Sequence, residues 1–165
     1  MSGPLGPRGI QRLSQPDAPA LTGRVLIADD LLDAARSLAM LFELYGAEVR
    51  FTLDGAETVR VAESFRPEIV LLDISMPGMN GYDAARAIRQ ASWGTNMVLI
   101  ALTGWGRNSD LEEARGAGFD GHLLKPVDPE ALVRLISDLR RRRHAAADPG
   151  AAVFARPPLG QTSTG

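Results

Sequence analysis

Five short apolar runs recur along the middle of the chain, each followed by a segment with helical spacing. The runs occupy residues 25–28, 48–51, 69–72, 97–102 and 122–124. Ile69-Val70-Leu71-Leu72 is continuously hydrophobic, the pattern of a strand buried on both faces. The first helical segment places Leu31, Ala35, Leu38, Phe42 and Tyr45 on one stripe, and Gly46 stops it. The second opens on Asp54-Gly55-Ala56-Glu57, a start of the capping-box kind, and stops before Pro67. A third starts at Asn80 and carries Ala84, Ala87 and Ile88. The fourth opens on Ser109-Asp110-Leu111-Glu112 and ends near Gly116 to Gly118. The fifth starts at Asp128-Pro129, a cap followed by proline in the first turn, and turns Leu132, Leu135, Ile136 and Leu139 to one face. Strict strand–helix alternation predicts an α/β domain with a parallel sheet and helices on both faces.

The flanks read differently. Residues 1–23 carry Pro4, Pro7, Pro16 and Pro19 without sustained periodicity, and residues 144–165 shift to Ala, Gly, Pro and Thr. Neither buries enough apolar surface to offset chain entropy, so both are expected to be disordered tails around a domain at 24–143, with no output domain attached. Val153-Phe154 is an apolar pair in the second tail, but docking is not expected of it. With 165 residues, 45% hydrophobic content and a net charge of −2, a single domain is expected, without bulk attraction to nucleic acid. There is no cysteine, which excludes disulfides and thiolate chemistry; with two histidines, His122 and His144, a structural zinc site is not expected. No apolar stretch reaches membrane-spanning length and no signal-peptide core is present, so the expectation is a cytoplasmic protein.

Chemistry gathers at the strand ends. Asp73 closes the third run and leads into the turn Ile74-Ser75-Met76-Pro77-Gly78-Met79-Asn80-Gly81. Asp29 and Asp30 close the first run, and Lys125 closes the fifth just before Pro126. The carboxyl ends of strands in open α/β sheets face the ligand crevice. Three acids and a lysine meeting there predict a Mg²⁺ site beside a charged nucleophile. Each residue alone has a bland reading. Asp29 and Asp30 suit the start of a helix, Thr103 suits a strand-end hydroxyl bonded to backbone, and Lys125-Pro126 is a common dipeptide.

Together, residues 25–30, 70–81, 99–103 and 123–126 resemble the signature blocks of response-regulator receiver domains, the CheY-like family. The resemblance covers roughly residues 24–142, and residues 101–110 and 118–128 are similar to receivers of hybrid sensor histidine kinases. It implies a flavodoxin-like (βα)5 doubly wound sheet of strand order 2-1-3-4-5, with the site between strands one and three. It implies that Asp73 takes a phosphoryl group from a phosphohistidine donor, supplied by a histidine kinase or a histidine phosphotransfer protein. Asp30, Asp73 and the Ser75 backbone carbonyl would ligate Mg²⁺ directly, and Asp29 would act through water. A cis Lys125–Pro126 bond is also implied. Catalysis would be confined to the protein's own phosphorylation and dephosphorylation.

The chemistry is physically coherent. Clustered carboxylates raise one another's pKa and repel a phosphoryl group, and a hard divalent cation relieves both. Lys125 would add charge, and the Thr103 hydroxyl and the Gly104 N–H would add hydrogen bonds. Phosphorylation is then expected to draw Thr103 and its loop inward and reshape the face of helix four, strand five and helix five.

Departures and alternatives stand beside this reading. His122 lies three residues before Lys125, where many receivers carry an aromatic switch; it is either such a switch or a half-exposed strand residue. Trp105, in the loop after Thr103, is either a buried anchor or a partner-facing aromatic. Leu31 follows the acid pair where polar residues are common. Ser75 replaces an asparagine seen in some relatives. Arg140 to Arg143 read as solvated cations offsetting a helix dipole rather than a nucleic-acid site. The competing function is a phosphorylation-independent interaction module, against which the intact set Asp29, Asp30, Asp73, Thr103 and Lys125 counts. A haloacid-dehalogenase-type phosphatase would need an acid where Ser75 stands. Nucleotide or flavin binding would need a phosphate loop after strand one, where acids stand instead.

Overall fold

The computed structural model describes residues 21–104 and 108–147. Five strands, β1 Arg24–Ala28, β2 Glu48–Thr52, β3 Ile69–Asp73, β4 Val98–Thr103 and β5 Gly121–Leu124, form one parallel sheet in the order β2-β1-β3-β4-β5. The intervening helices are α1 Leu32–Leu44, α2 Gly55–Phe65, α3 Gly81–Gln90, α4 Asn108–Ala117 and α5 Pro129–Ala147, with a 3-10 turn at Ser92–Gly94. This is the flavodoxin-like (βα)5 arrangement the sequence predicts.

Side-chain period two sorts the core into two layers. Val25, Ile27, Ile69, Leu71, Val98, Ile100 and Leu102 pack against Ala35, Leu38 and Phe42 of α1 and Leu132, Ile136 and Leu139 of α5. Leu26, Ala28, Val70, Leu72, Leu99 and Ala101 face the other way, onto α2, α3 and α4. Right-handed crossovers require this split. The chain moves one way across the sheet from β1 to β2 and the other way thereafter, so α1 lies opposite α2, α3 and α4. The reversal leaves a crevice between β1 and β3.

The helix starts follow their caps. Asp54 accepts the Glu57 N–H at 2.8 Å ahead of α2, and Asn80 accepts the Asp83 N–H at 2.9 Å ahead of α3, each worth about 1 kcal/mol. Two positions expected on the α1 stripe fall outside it. Leu31 is the cap of α1 and is 63% exposed, and Tyr45 caps its other end and is 50% exposed. On α3, Ala87 is half-buried, while Tyr82 and Ala85, not assigned to the stripe, are buried. The helix α5 runs to Ala147, past the expected boundary at 143, and Leu21 is buried in the core although it was placed in the first tail. Residues 1–20 and 148–165 of the expected tails, with Val153-Phe154, lie outside the described residues.

The far edge of the sheet, away from the acids, is fastened by a charged knot. Asp120 Oδ2 accepts from Arg89 Nη2 at 2.8 Å, from the Leu99 N–H at 2.9 Å and from Arg143 Nη2 at 3.3 Å. Arg89 also donates to the Gly118, Gly94 and Met97 carbonyls at 2.8, 2.9 and 2.7 Å. Gly118 has φ +99°, the left-handed turn that ends α4, and a Cβ there would lie 2.6 Å from Arg89 Cγ. Arg140 donates to the Thr22 carbonyl and Arg143 to the carbonyls of Asn96 and Met97. Two members of the arginine run are therefore spent on backbone oxygens rather than solvated, which corrects the sequence reading. Asp120→Ala strips acceptors from two guanidiniums and one amide, and is expected to cost about 2 kcal/mol in a urea melt.

Candidate functional site

Each residue of the site sits where a strand of the sheet ends. Asp29 and Asp30 follow β1, Asp73 is the last residue of β3, Thr103 the last of β4, and Lys125 follows β5. The parallel register aligns Ala28 with Leu72, Asp73 with Leu102, and Thr103 with Leu124, so these ends share one rim. The Lys125 N–H donates to the Thr103 carbonyl at 2.7 Å, and the Lys125–Pro126 bond is cis.

The two buried acids are held alike. Asp29 Oδ1 accepts the Leu31 N–H and Asp73 Oδ1 accepts the Ser75 N–H, both at 2.9 Å. Each second oxygen lies 2.9 Å from Lys125 Nζ, so one ammonium bridges both carboxylates. Asp29 Oδ2 is buried without another partner among the described residues, so the Lys125 ammonium is what compensates its charge there. Burial pulls the Lys125 pKa down, but bonding to Asp73 and Asp29 and the charge of both outweigh it, and the pKa stands above its ordinary value. The ion pair is therefore complete below the ordinary lysine pKa and is lost only as the pH rises through the raised one.

Oxygens of Asp29, Asp30 and Asp73 lie within 4.8 Å of one another, with Asp29 and Asp73 buried and Asp30 exposed. A hard oxygen donor set open on one side fits Mg²⁺, which keeps some of its waters. Thr103 Oγ1 is a second sign of an incomplete environment. The residue is fully buried, yet its hydroxyl has no partner among the described residues. Beside it, Gly104 faces open space, with no atom within 4 Å of where a Cβ would stand.

The turn after Asp73 is shaped by close packing. A Cβ on Gly81 would lie 2.5 Å from the Asp73 carbonyl oxygen, and one on Gly55 would lie 2.2 Å from that of Met79. The starts of α3 and α2 can close on the loop after Asp73 only through these glycines.

The expected switch residues separate. Thr103 joins the site. His122 is exposed rather than half-exposed, on the opposite face of β5 from α5, beside a cleft of about 240 Å³ with Leu111 and Arg115. Trp105 lies outside the described residues, as does most of the loop in which it was placed. Ser75 is exposed, and it enters the site through its N–H.

Sequence patterning missed an apolar surface on α1. Met40 is 64% and Leu44 84% exposed, and with Leu38 and Leu41 they line a cleft of about 560 Å³ that reaches Asp29, Lys125 and Pro126. Met40, Leu41 and Leu44 stand outside the stripe read for α1, and apolar residues off the core stripe are the signal for such a surface.

Comparison with known proteins agrees with this geometry. The family model described as the response regulator receiver domain matches residues 25–137. Protein PilH of Pseudomonas aeruginosa is 32% identical over 114 residues, covering 69% of this chain and 94% of PilH. The transcriptional regulatory protein PrrA of Mycobacterium leprae is 35% identical over 136 residues, covering 82% of this chain but 58% of PrrA, so the chain spans little more than half of that relative. The chemotaxis protein CheY4 of Vibrio cholerae superposes with a TM-score of 0.68 at 26% identity, covering 72% of this chain and 98% of CheY4. The receiver domain of a Pseudomonas aeruginosa sensor histidine kinase, which has magnesium coordinated in its active-site cleft, gives 0.66 at 29% identity, covering 72% and 97%. A sheet of order 2-1-3-4-5, an acidic pocket at its reversal point and the matched family model lead to one statement: this chain belongs to the response regulator receiver domain family of two-component signalling.

Proposed function

We propose that the protein accepts a phosphoryl group on Asp73 from a phosphohistidine donor and passes the signal on by protein contact. The observation that carries this reading is Lys125 Nζ, 2.9 Å from Asp29 Oδ2 and 2.9 Å from Asp73 Oδ2. A cation held between two buried carboxylates, one of them the proposed acceptor, is the charge arrangement that phosphoryl transfer needs.

Asp29, Asp30 and Asp73 would hold Mg²⁺, with the Ser75 carbonyl as a further ligand. When bound, the metal would neutralise the acids and the equatorial oxygens of the phosphoryl group. Asp73 supplies the nucleophilic oxygen. As its bond to phosphorus forms, the bond from phosphorus to the donor imidazole nitrogen breaks, and its electron pair stays on the imidazole. The Lys125 ammonium stabilises the charge on the transferred group. The Thr103 hydroxyl and the Gly104 N–H are the donors for its remaining oxygens. No substrate is turned over, and the reactions catalysed are the protein's own phosphorylation and its reversal.

The apolar stripe of Met40 and Leu44, with the cleft that leads to Lys125, suits a kinase or phosphotransfer partner docking beside the acceptor. Intact acids, lysine and threonine count against the phosphorylation-independent module. Among the described residues, no helix is long and apolar enough to cross a membrane.

Incubation with Mg²⁺ and a small phosphodonor is expected to give one acid-stable, base-labile adduct per chain by intact mass. Chelating the metal with EDTA is expected to remove it. Failure to label in Mg²⁺ overturns the reading.

A further inference from the structure

We infer that Tyr82 is the positioning residue that ties α4 to the acceptor loop, so that α4 follows events at Asp73 through α3 rather than through β5. The helix α4 is lightly held. Its buried residues are Ala114 and Ala117, and two methyl groups bury little apolar area. Tyr82 is 8% exposed and touches both ends of α4. Its hydroxyl lies 3.5 Å from the Asp110 carbonyl in the first turn, a long hydrogen bond. Its ring meets Phe119, just past the last turn, edge-on, with centroids 6.4 Å apart and planes at 80°. One turn along α3, Arg86 reaches Glu113 at 3.7 Å. The Tyr82 phenol stays a donor, because burial and then the charges of Asp110 and Glu113 hold its pKa above the ordinary value.

On its other side Tyr82 follows Gly81. A Cβ on that glycine would stand 2.5 Å from the Asp73 carbonyl oxygen and 2.7 Å from Ile74 Cα, and its N–H bonds the Ile74 carbonyl at 3.3 Å. One residue therefore separates the acceptor backbone from the ring that holds α4. On β5, His122 is exposed and Leu124 is 52% exposed, so neither is buried under α4 as Tyr82 is. A helix that buries only two alanines relies on Tyr82 for its seat, and that contact is what would carry a change in the loop after Asp73 to α4.

Amide exchange across residues 108–117 tests the inference in the wild type, Tyr82→Phe and Tyr82→Leu, with and without Mg²⁺ and beryllofluoride. The phosphoryl half rests on the proposed function, and the half without the mimic does not. Without it, Tyr82→Leu is expected to speed exchange in α4 by about fivefold or more while α2 is unchanged. With it, wild-type α4 is expected to change by several-fold, and Tyr82→Phe to lose at least about half of that change while Asp73 labels within about twofold of wild type. Wild-type exchange across α4 in Tyr82→Leu, or a full response in Tyr82→Phe, overturns the inference. A wild type that fails to label instead overturns the proposed function, and the comparison without the mimic then decides the role of Tyr82.

Discussion

Asp73→Asn is expected to leave the protein folded and to abolish labelling by a small phosphodonor. The amide has the shape of the carboxylate and can still accept the Ser75 N–H, which the acid takes at 2.9 Å. It lacks the anionic oxygen that attacks phosphorus, so labelling should fall at least about a hundredfold. Lys125 keeps Asp29 as a partner at 2.9 Å, and one carboxylate fewer relieves repulsion within the cluster. Stability should therefore stay within about 1 kcal/mol of wild type. Intact mass after donor treatment reads the first outcome and a urea melt the second. Equal labelling of the variant and the wild type would remove Asp73 as the acceptor.

Gly81→Val is expected to have the second-largest effect. Its Cβ would lie 2.5 Å from the Asp73 carbonyl oxygen and 2.7 Å from Ile74 Cα, both backbone atoms that cannot rotate aside. Either α3 retreats or the acceptor loop moves, at a cost of about 2–4 kcal/mol and with much of the labelling. Gly116→Ala is the comparison, because beyond its own helical turn no atom of the described residues lies within 4 Å of its Cβ position in α4. There alanine should add up to about 1 kcal/mol of stability, since it removes the entropic penalty of glycine in a helix. Urea melts of both variants separate steric exclusion from helix propensity. A Gly81→Val protein as stable and as reactive as wild type would show that the loop does not depend on this close approach.

Most of the sheet was legible because burial on both faces forces continuous apolar runs, as in Ile69 to Leu72, and because caps such as Asp54 and Asn80 mark helix starts locally. The candidate site was legible for the same reason: acids and a lysine that end apolar strands must share the rim where those strands end. Relations between distant residues were hidden. Arg89 and Asp120 are 31 positions apart and Asp120 and Arg143 are 23 apart, so no local period connects them. Apolar residues on α1 carry the same code whether they face the sheet or solvent. Phe42 is therefore core while Leu44, two positions on, is 84% exposed. Light seating of α4 on alanines was equally silent, since small residues give little periodic signal.

The arginine knot at the amino-terminal ends of β4 and β5 shares no residue with the acids at the opposite rim. A change within the knot can therefore alter stability without removing a charged group from the acid rim. Variation around Asp120 is expected to show in urea melts, whereas variation around Lys125 is expected to show in labelling by a phosphodonor. An engineer seeking a hardier signalling module can rework the first address without rewriting the second.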